Sequence, residues 1–269
     1  WIAPGVPAAQ AYLRRQVMYV VNTYDVDGVH FDRIRTPNYY YSYDPISMAR
    51  YGGEGNPSSL SFHDWTRDQI TRFLRDLYAQ VMEVKPNIKV SAAPFGWSSY
   101  STVHQDPAAW FSSGAVDAMV PMIYGSSFSS YLPSWLNMRA GRHLYAGQSI
   151  GQVSIQEYLS NINLVRSYGG EGTCIFSYSG FNSGGYWDEI SGPGGPYALA
   201  APLPAMGWKT NPTDGIIIGN IMDPDGVTPV VDARITRSGS NDTALSSGDG
   251  LYSFLKVPPG NYTLAFNKS

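Results

Sequence analysis

The sequence predicts an α/β domain followed by a small all-β unit. Segments of helical periodicity alternate with short apolar strands from residue 1 to about 205, the signature of β/α units around a parallel sheet. A Pro- and Gly-rich stretch at 192–214 then breaks the pattern, and the strands beyond it are separated by Asp-Gly and Pro-Gly turns. Only 14% of residues are charged, against about a quarter in ordinary soluble domains. With 28 Gly, 20 Tyr and 7 Trp beside it, that low charge points to a loop-rich protein with aromatic surfaces.

The elements follow in order. Leu13, Val17, Val20, Val21 and Tyr24 recur at helical spacing behind Pro7, which suits a first turn. Strand 28–32 comes next. Ile70, Phe73, Leu74, Leu77, Val81 and Val84 form one apolar helix face, with Asp68 and Arg72 paired four apart outside it. Pro86 ends that helix, and strand 89–94 follows. Asp106-Pro107 reads as a cap and first-turn proline for a short helix to Ser113. Strand 116–124, a helix at 132–138, strand 143–148, a helix at 154–168 and strand 172–177 complete five β/α units. Strands at 215–222, 231–237, 250–255 and 261–266 make the small β-sandwich.

Several classes are excluded. The net charge of -3 is spread along the chain, so a nucleic-acid partner lacks its electrostatic footprint. The longest apolar runs are far too short for a membrane span. Cys174 is the single cysteine and reads as a small buried hydrophobe; one cysteine rules out intrachain disulfides and multi-cysteine metal sites. The four histidines lack metal-ligand spacing, so no metal and no cofactor is expected. Gly147-Gln148-Ser149-Ile150-Gly151 has the form of a nucleophile elbow, but no histidine follows it to complete a triad, which leaves a glycine-flanked turn. Three Asn-X-Ser/Thr triplets, at Asn241, Asn261 and Asn267, matter only in a glycosylating host.

The chemistry concentrates in residues 24–37. Alternation in strand 28–32 puts Val29 and Phe31 on the face that packs under helices and His30 and Asp32 on the other. Asp32 falls at the carboxyl end, where α/β barrels carry catalytic carboxylates; a helix cap, or a partner for Arg33 or Arg35, is the structural alternative. Glycoside hydrolysis needs a second carboxyl group. Asp106 is the candidate, against its alternative as a helix cap; Glu54, Asp188, Glu189 and upstream sequence stay open. Tyr39, Tyr40, Tyr41, Tyr43, Trp97, Tyr124 and Tyr178 all follow or end strands, an arrangement that suits stacking on sugar rings.

Four segments carry a resemblance. They are Trp1-Ile2-Ala3-Pro4-Gly5; Tyr24-Asp25-Val26-Asp27-Gly28-Val29-His30-Phe31-Asp32; Asp64-Trp65-Thr66-Arg67 with Ser91-Ala92-Ala93-Pro94-Phe95-Gly96; and Asp106, Trp110 and Val120-Pro121-Met122-Ile123-Tyr124. Together they resemble glycosyl-hydrolase-like family 10, bacterial TIM-barrel glycosidases whose characterised relatives cleave peptide-stripped peptidoglycan strands. Met122 stands where that family usually has Gln, and Thr66 where it usually has a second Arg. The resemblance implies Asp32 as the catalytic residue, with Arg67 and Tyr124 as nearby support. The reading of strand ends and loops adds Asp106 as second catalytic candidate and His30, Arg35, Trp97 and Tyr178 to the residues expected to bind a polysaccharide. The C-terminal segments around Asp223, Asp232, Asp249 and Pro258 resemble the carboxypeptidase-regulatory-like (transthyretin-like) sandwich, which implies self-assembly or surface attachment and a secreted or cell-envelope protein. The alternative function is a non-catalytic carbohydrate-binding or structural surface protein.

The expected organisation is therefore a partial barrel at 1–205, a linker at 206–214 and the sandwich at 215–269. Such barrels take about 250 residues, so the first domain supplies about five of eight strands. Further sequence is expected at both ends.

Overall fold

The computed structural model describes residues 1–268; Ser269, which closes the third Asn-X-Ser/Thr triplet, lies outside them. Helix α1 (Pro7–Thr23) starts on Pro7 and ends before the extended Tyr24. Strand β1 (Gly28–Phe31) follows, then the short α2 (Pro45–Tyr51), capped by Asp44. The long α3 (Phe62–Val84) is capped by Ser61. Strand β2 (Lys89–Ala92) leads through a 3-10 turn at Ser98–Val103 into α4 (Pro107–Ser113). Next come β3 (Ala118–Met119), α5 (Phe128–Met138), β4 (His143–Ser149), α6 (Ile155–Ser167) and β5 (Gly172–Phe176).

The five strands pair in parallel in the order β1-β2-β3-β4-β5, a run of β/α units in sequence order. Regular pairing in β3 is limited to two residues because Met122 makes only isolated bridges, to Phe95 and Gly147. A side chain at Gly96 would collide with the Met122 carbonyl, so only glycine lets these strand ends meet. The main core between sheet and helices is built on Leu74, Leu77, Val90, Trp110, Phe111, Met119, Leu132 and Leu144, and a second cluster around Ile155, Tyr158, Ile162 and Phe181 packs against β5. Val84, predicted to close the apolar face of α3, is exposed at the last turn. Helical spacing extends past the point where the sheet ends.

Short helices α7 (Tyr178–Ser183), α8 (Trp187–Ser191) and α9 (Gly207–Thr210) lead to the C-terminal unit. There β6 (Gly215–Asn220) pairs antiparallel with β9 (Leu251–Val257), and β10 (Leu264–Asn267), β7 (Arg234–Arg237) and β8 (Thr243–Leu245) form a three-stranded sheet. Ile235 and Ala244 of one sheet pack with Tyr252, Phe254 and Val257 of the other.

The C-terminal unit is docked on α1, α2, α3 and the Glu54 loop by polar contacts, most of them wholly or partly buried. Arg14 of α1 pairs with Asp249 and donates to Ser247 Oγ at 2.9 Å. Arg50 grips Asp232 with two parallel bonds, Nε to Oδ2 at 2.8 Å and Nη2 to Oδ1 at 2.5 Å. Ser253 donates to Asp76 at 2.7 Å, and Lys268 pairs with Glu54, which ties the glycine-rich Glu54 loop to this unit. A side chain at Gly248 would overlap the Pro7 backbone, so the surfaces touch main chain to main chain. The Asp68–Arg72 pair forms at 2.6 Å but is not on a free face. Burial lowers the Arg72 pKa, and Asp232 is among the charges acting on it.

The connection beneath the sheet is equally anchored. Trp208 and Lys209 of α9 reach Asp117, the residue before β3, at 2.7 and 3.1 Å. A cavity of about 550 Å³ lies here, between α3, Trp208 and Leu255, at the opposite end of the sheet from Asp32. No helix among the described residues is long and apolar enough to cross a membrane.

Candidate active site at the carboxyl end of the sheet

Alternation in β1 places its side chains as the sequence pattern predicts. Val29 and Phe31 pack against the core, with Phe31 edge-on to Phe73 at 6.5 Å. His30 lies on the other face and shares a 2.9 Å hydrogen bond with Ser91 of β2. Desolvation lowers the His30 pKa, with the Asp32 charge opposing it. Asp32 follows the last residue of β1, and its side chain is 59% exposed.

The backbone turns sharply immediately after Asp32. Arg33 has φ 54°, the left-handed region that costs a non-glycine residue energy, and its N–H donates to Asp32 Oδ1 at 2.7 Å. This turn brings Arg35 back beside the carboxylate, with Nη1 3.7 Å from Oδ1. That distance is an ion pair without a hydrogen bond. Arg35 Nη1 is buried and without a hydrogen-bond partner, while the guanidinium lies 4.7 Å over the Phe95 ring. Tyr124 completes the group. Desolvation, then the Asp32 charge, push its pKa up to about 12, further above neutral pH than an ordinary tyrosine. Its ring stacks on Phe176 at 6.2 Å and 18°.

Other predicted residues fall around this centre in different ways. Trp97 begins the 3-10 turn and leans on Phe95 at 5.0 Å. Tyr178 starts α7 and is exposed. Arg67 pairs with Asp64 at 2.8 Å on the first turns of α3, where its charge acts on His63 and His104. Asp106 caps α4, accepting the Ala109 N–H at 2.9 Å, the capping alternative that Asp-Pro allows. Asp188 and Glu189 lie in the first turn of α8. The tyrosine run divides: Tyr39 stacks on His63, Tyr43 stacks on Phe62 at 4.4 Å, and Tyr40 is exposed.

Cys174 corrects the sequence reading. It is exposed, not buried. Gly172, Cys174 and Phe176 alternate with the residues facing α6, and that parity turns the thiol toward the open face of the sheet. An apolar neighbourhood in sequence does not say which strand face is covered.

Sequence reasoning missed a histidine pair. His104 Nε2 and His63 Nδ1 share a 3.0 Å hydrogen bond, and His104 Nδ1 bonds Thr36 Oγ1 at 2.6 Å. Desolvation, then His63 and Arg67, hold His104 down at about 4. The residues are 41 apart in the chain, and no local spacing announces them. Among the described residues, no three His, Cys, Asp or Glu side chains gather as a metal-binding group.

The model of the glycosyl hydrolase-like 10 family matches residues 1–138, which carry β1 to β3, Asp32, Arg35 and Tyr124. That is just over half of the 269 residues. The chain belongs to the glycosyl hydrolase-like 10 family. Glycosyl hydrolase YngK of Bacillus subtilis strain 168 is 26% identical over 250 residues, covering 77% of this chain and 48% of that protein. Glycosyl hydrolase DigH of Escherichia coli strain K12 is 26% identical over 144 residues, 45% of this chain and 31% of that protein. The chain thus spans about half or less of the curated relatives it matches. The C-terminal domain of a provisionally assigned chitinase from Desulfitobacterium hafniense DCB-2 aligns with a TM-score of 0.38 at 15% identity, covering 94% of this chain and 62% of that one. That likeness is too distant to add to what the strand order shows.

Both departures from the glycosyl hydrolase-like 10 pattern can be placed. Met122 sits at the strand bridge between Phe95 and Gly147, where the family glutamine would offer polar atoms. Thr66 is buried and donates to the Phe62 carbonyl at 2.8 Å within α3.

Proposed function

We propose that this protein is a glycoside hydrolase acting on a bacterial or environmental polysaccharide, with peptidoglycan glycan strands as the first candidate. The observation that carries the reading is the Asp32 group. An exposed carboxylate at a strand end stands beside a buried arginine nitrogen that lacks a hydrogen bond and a tyrosine whose pKa is raised. Other buried arginine and amide nitrogens also lack a hydrogen bond, Arg14 Nε and Arg72 Nη1 among them; Arg35 differs in lying beside the exposed Asp32 carboxylate, where a polar group of a bound substrate would reach it. Asp32 acts as acid or nucleophile in this reading, and His30, Arg35, Arg67, Trp97, Tyr124 and Tyr178 bind sugar. Two of the curated relatives it matches, YngK and DigH, are named glycosyl hydrolases, which supports the class.

In the same proposal, residues 1–205 are a partial barrel domain and 206–214 the connection. Residues 215–269 form a carboxypeptidase-regulatory-like sandwich, the protein is secreted or of the cell envelope, and no cofactor takes part. The docked interface supports a fixed accessory unit in place of a loosely tethered spacer.

A reducing-sugar assay on denuded peptidoglycan and a polysaccharide panel tests the reading. Wild type releases reducing ends and Asp32→Asn does not. Asp106→Asn separates chemistry from capping, because asparagine caps a helix as well as aspartate. Lost activity assigns Asp106 as the second carboxylate, and retained activity leaves it a cap. If wild type and Asp32→Asn are equally inactive while glycan still binds, the protein is a carbohydrate-binding one and the hydrolase reading fails.

A further inference from the structure

The aromatic residues at the carboxyl end of the sheet do not stop at Tyr124. β5 ends on Phe176, Ser177 caps α7, and Tyr178 opens that helix. Both rings are bare, Phe176 at 62% exposure and Tyr178 at 69%. Trp187, at the start of α8, brings its ring to 5.7 Å from Tyr178 at an angle of 48° and remains 41% exposed. Single exposed apolar residues are ordinary; a contiguous run of them marks a contact surface.

Trp187 is held in place from behind. Phe181 is almost fully buried and meets its ring at 4.9 Å and 68°. The indole Nε1–H donates to Asn182 Oδ1 at 3.0 Å, so its one polar requirement is met inside the protein. What the exposed face lacks is an apolar partner. A pyranose ring supplies one through its C–H face while keeping its hydroxyls in water. The run also joins the candidate centre, since Phe176 stacks on Tyr124 and Tyr124 lies within the field of Asp32.

We propose that Tyr178 and Trp187 form a sugar-stacking platform for the part of a glycan chain that extends past β5 from Asp32, so that the protein engages a polymer and not a free disaccharide. The direction of the chain rests on the reading of Asp32 as the reacting centre; the stacking itself does not. A second copy of this chain would be the competing occupant, but the run leads into the candidate site, which favours substrate.

Two measurements on the whole chain test this. One is binding to denuded peptidoglycan strands and to chitin; the other is tryptophan fluorescence with chitobiose and chitohexaose. Trp187→Leu keeps an apolar contact on Phe181 but removes the ring. It should weaken binding of the long strands and chitohexaose tenfold or more, leave chitobiose unchanged, and be rescued by Trp187→Phe. Tyr178→Ala, at a more exposed site, provides the same test if the leucine variant melts early.

Unchanged binding in both Trp187→Leu and Tyr178→Ala overturns the platform, and so does a wild type that binds none of these glycans. It is also overturned if Trp187→Leu alters only the oligomeric state in gel filtration, which would make the patch a self-association face. The outcome is separable from that of the hydrolase reading. Asp32→Asn should keep the long-strand binding that Trp187→Leu loses, whether or not wild type cleaves.

Discussion

Asp32 and Asp117 flank parallel strands at opposite ends of one sheet, and their surroundings differ in every respect. Asp117 is fully buried before β3 and receives bonds from Tyr78 Oη and Val90 N–H, both at 2.8 Å, and from Trp208 Nε1 at 2.7 Å. Arg142 and Lys209 neutralise it at 3.2 and 3.1 Å. Asp32 is open to solvent, and the arginine beside it stops short of hydrogen-bond distance. A buried charge whose bonding capacity is filled by protein serves the fold, because leaving it incomplete would be costly. A charge left short of partners on an open face has capacity for something that binds.

The comparison predicts a large stability effect at one end and little at the other. Asp117→Ala leaves Arg142 and Lys209 with no buried counter-charge and should cost about 3–5 kcal/mol in urea unfolding. A loss below about 1 kcal/mol, the scale of exposed pairs, would break the contrast.

Next in size is the Arg50–Asp232 clamp that joins α2 to the C-terminal unit. A double-mutant cycle on Arg50→Ala and Asp232→Ala should give a coupling of about 1–3 kcal/mol. Additive losses would mean that the two units touch without sharing stability.

The histidine pair adds a pH dependence. His104 is held at about 4 in the fold and returns to its ordinary 6.5 when unfolded. The unfolded chain then binds more protons between these values, so stability is complete above about pH 6.5 and falls as the pH drops toward 4. His63 is lowered too and acts in the same direction. His104→Asn accepts no proton, and asparagine tolerates the left-handed backbone at this position (φ 58°). Its melting temperature should therefore vary less between pH 4 and 7 than that of wild type. An identical pH profile would show that this pair does not govern the acid limb.

The smallest expected stability change is that of Asp32→Asn, within about 0.5 kcal/mol of wild type, as at an exposed site outside any buried network. A larger loss would place Asp32 in the fold's own framework and weaken its candidacy as a functional group.

Much of the scaffold was legible in the residues. Apolar spacing found the main helices and all five strands of the parallel sheet, because burial on one side leaves a period of 3.6 or 2 in the chain. The same alternation separated Val29 and Phe31 from His30 and Asp32. Pattern reading overran β3, because its apolar run continues beyond Ala118 and Met119 while pairing past them is reduced to isolated bridges at Met122. It also missed β8, α2 and the short helices α7 to α9, which are too brief to show a period. Cys174 was misread for a related reason: a run such as Thr173-Cys174-Ile175-Phe176 is apolar throughout and does not say which face is covered.

The sequence by itself determined the β/α order, the family and the placing of Asp32 at a strand end, because each of these is written in local spacing and motif. Tertiary structure alone decided that Arg35 turns back on Asp32 and that Trp187 stands beside Tyr178. It likewise decided that Arg14, Arg50, Asp76 and Asp117 fasten the C-terminal unit and its connection to the first domain. These are contacts between residues distant in the chain or across a turn. Their energies depend on burial and on the geometry of both partners, and neither is encoded in the neighbours of a single residue.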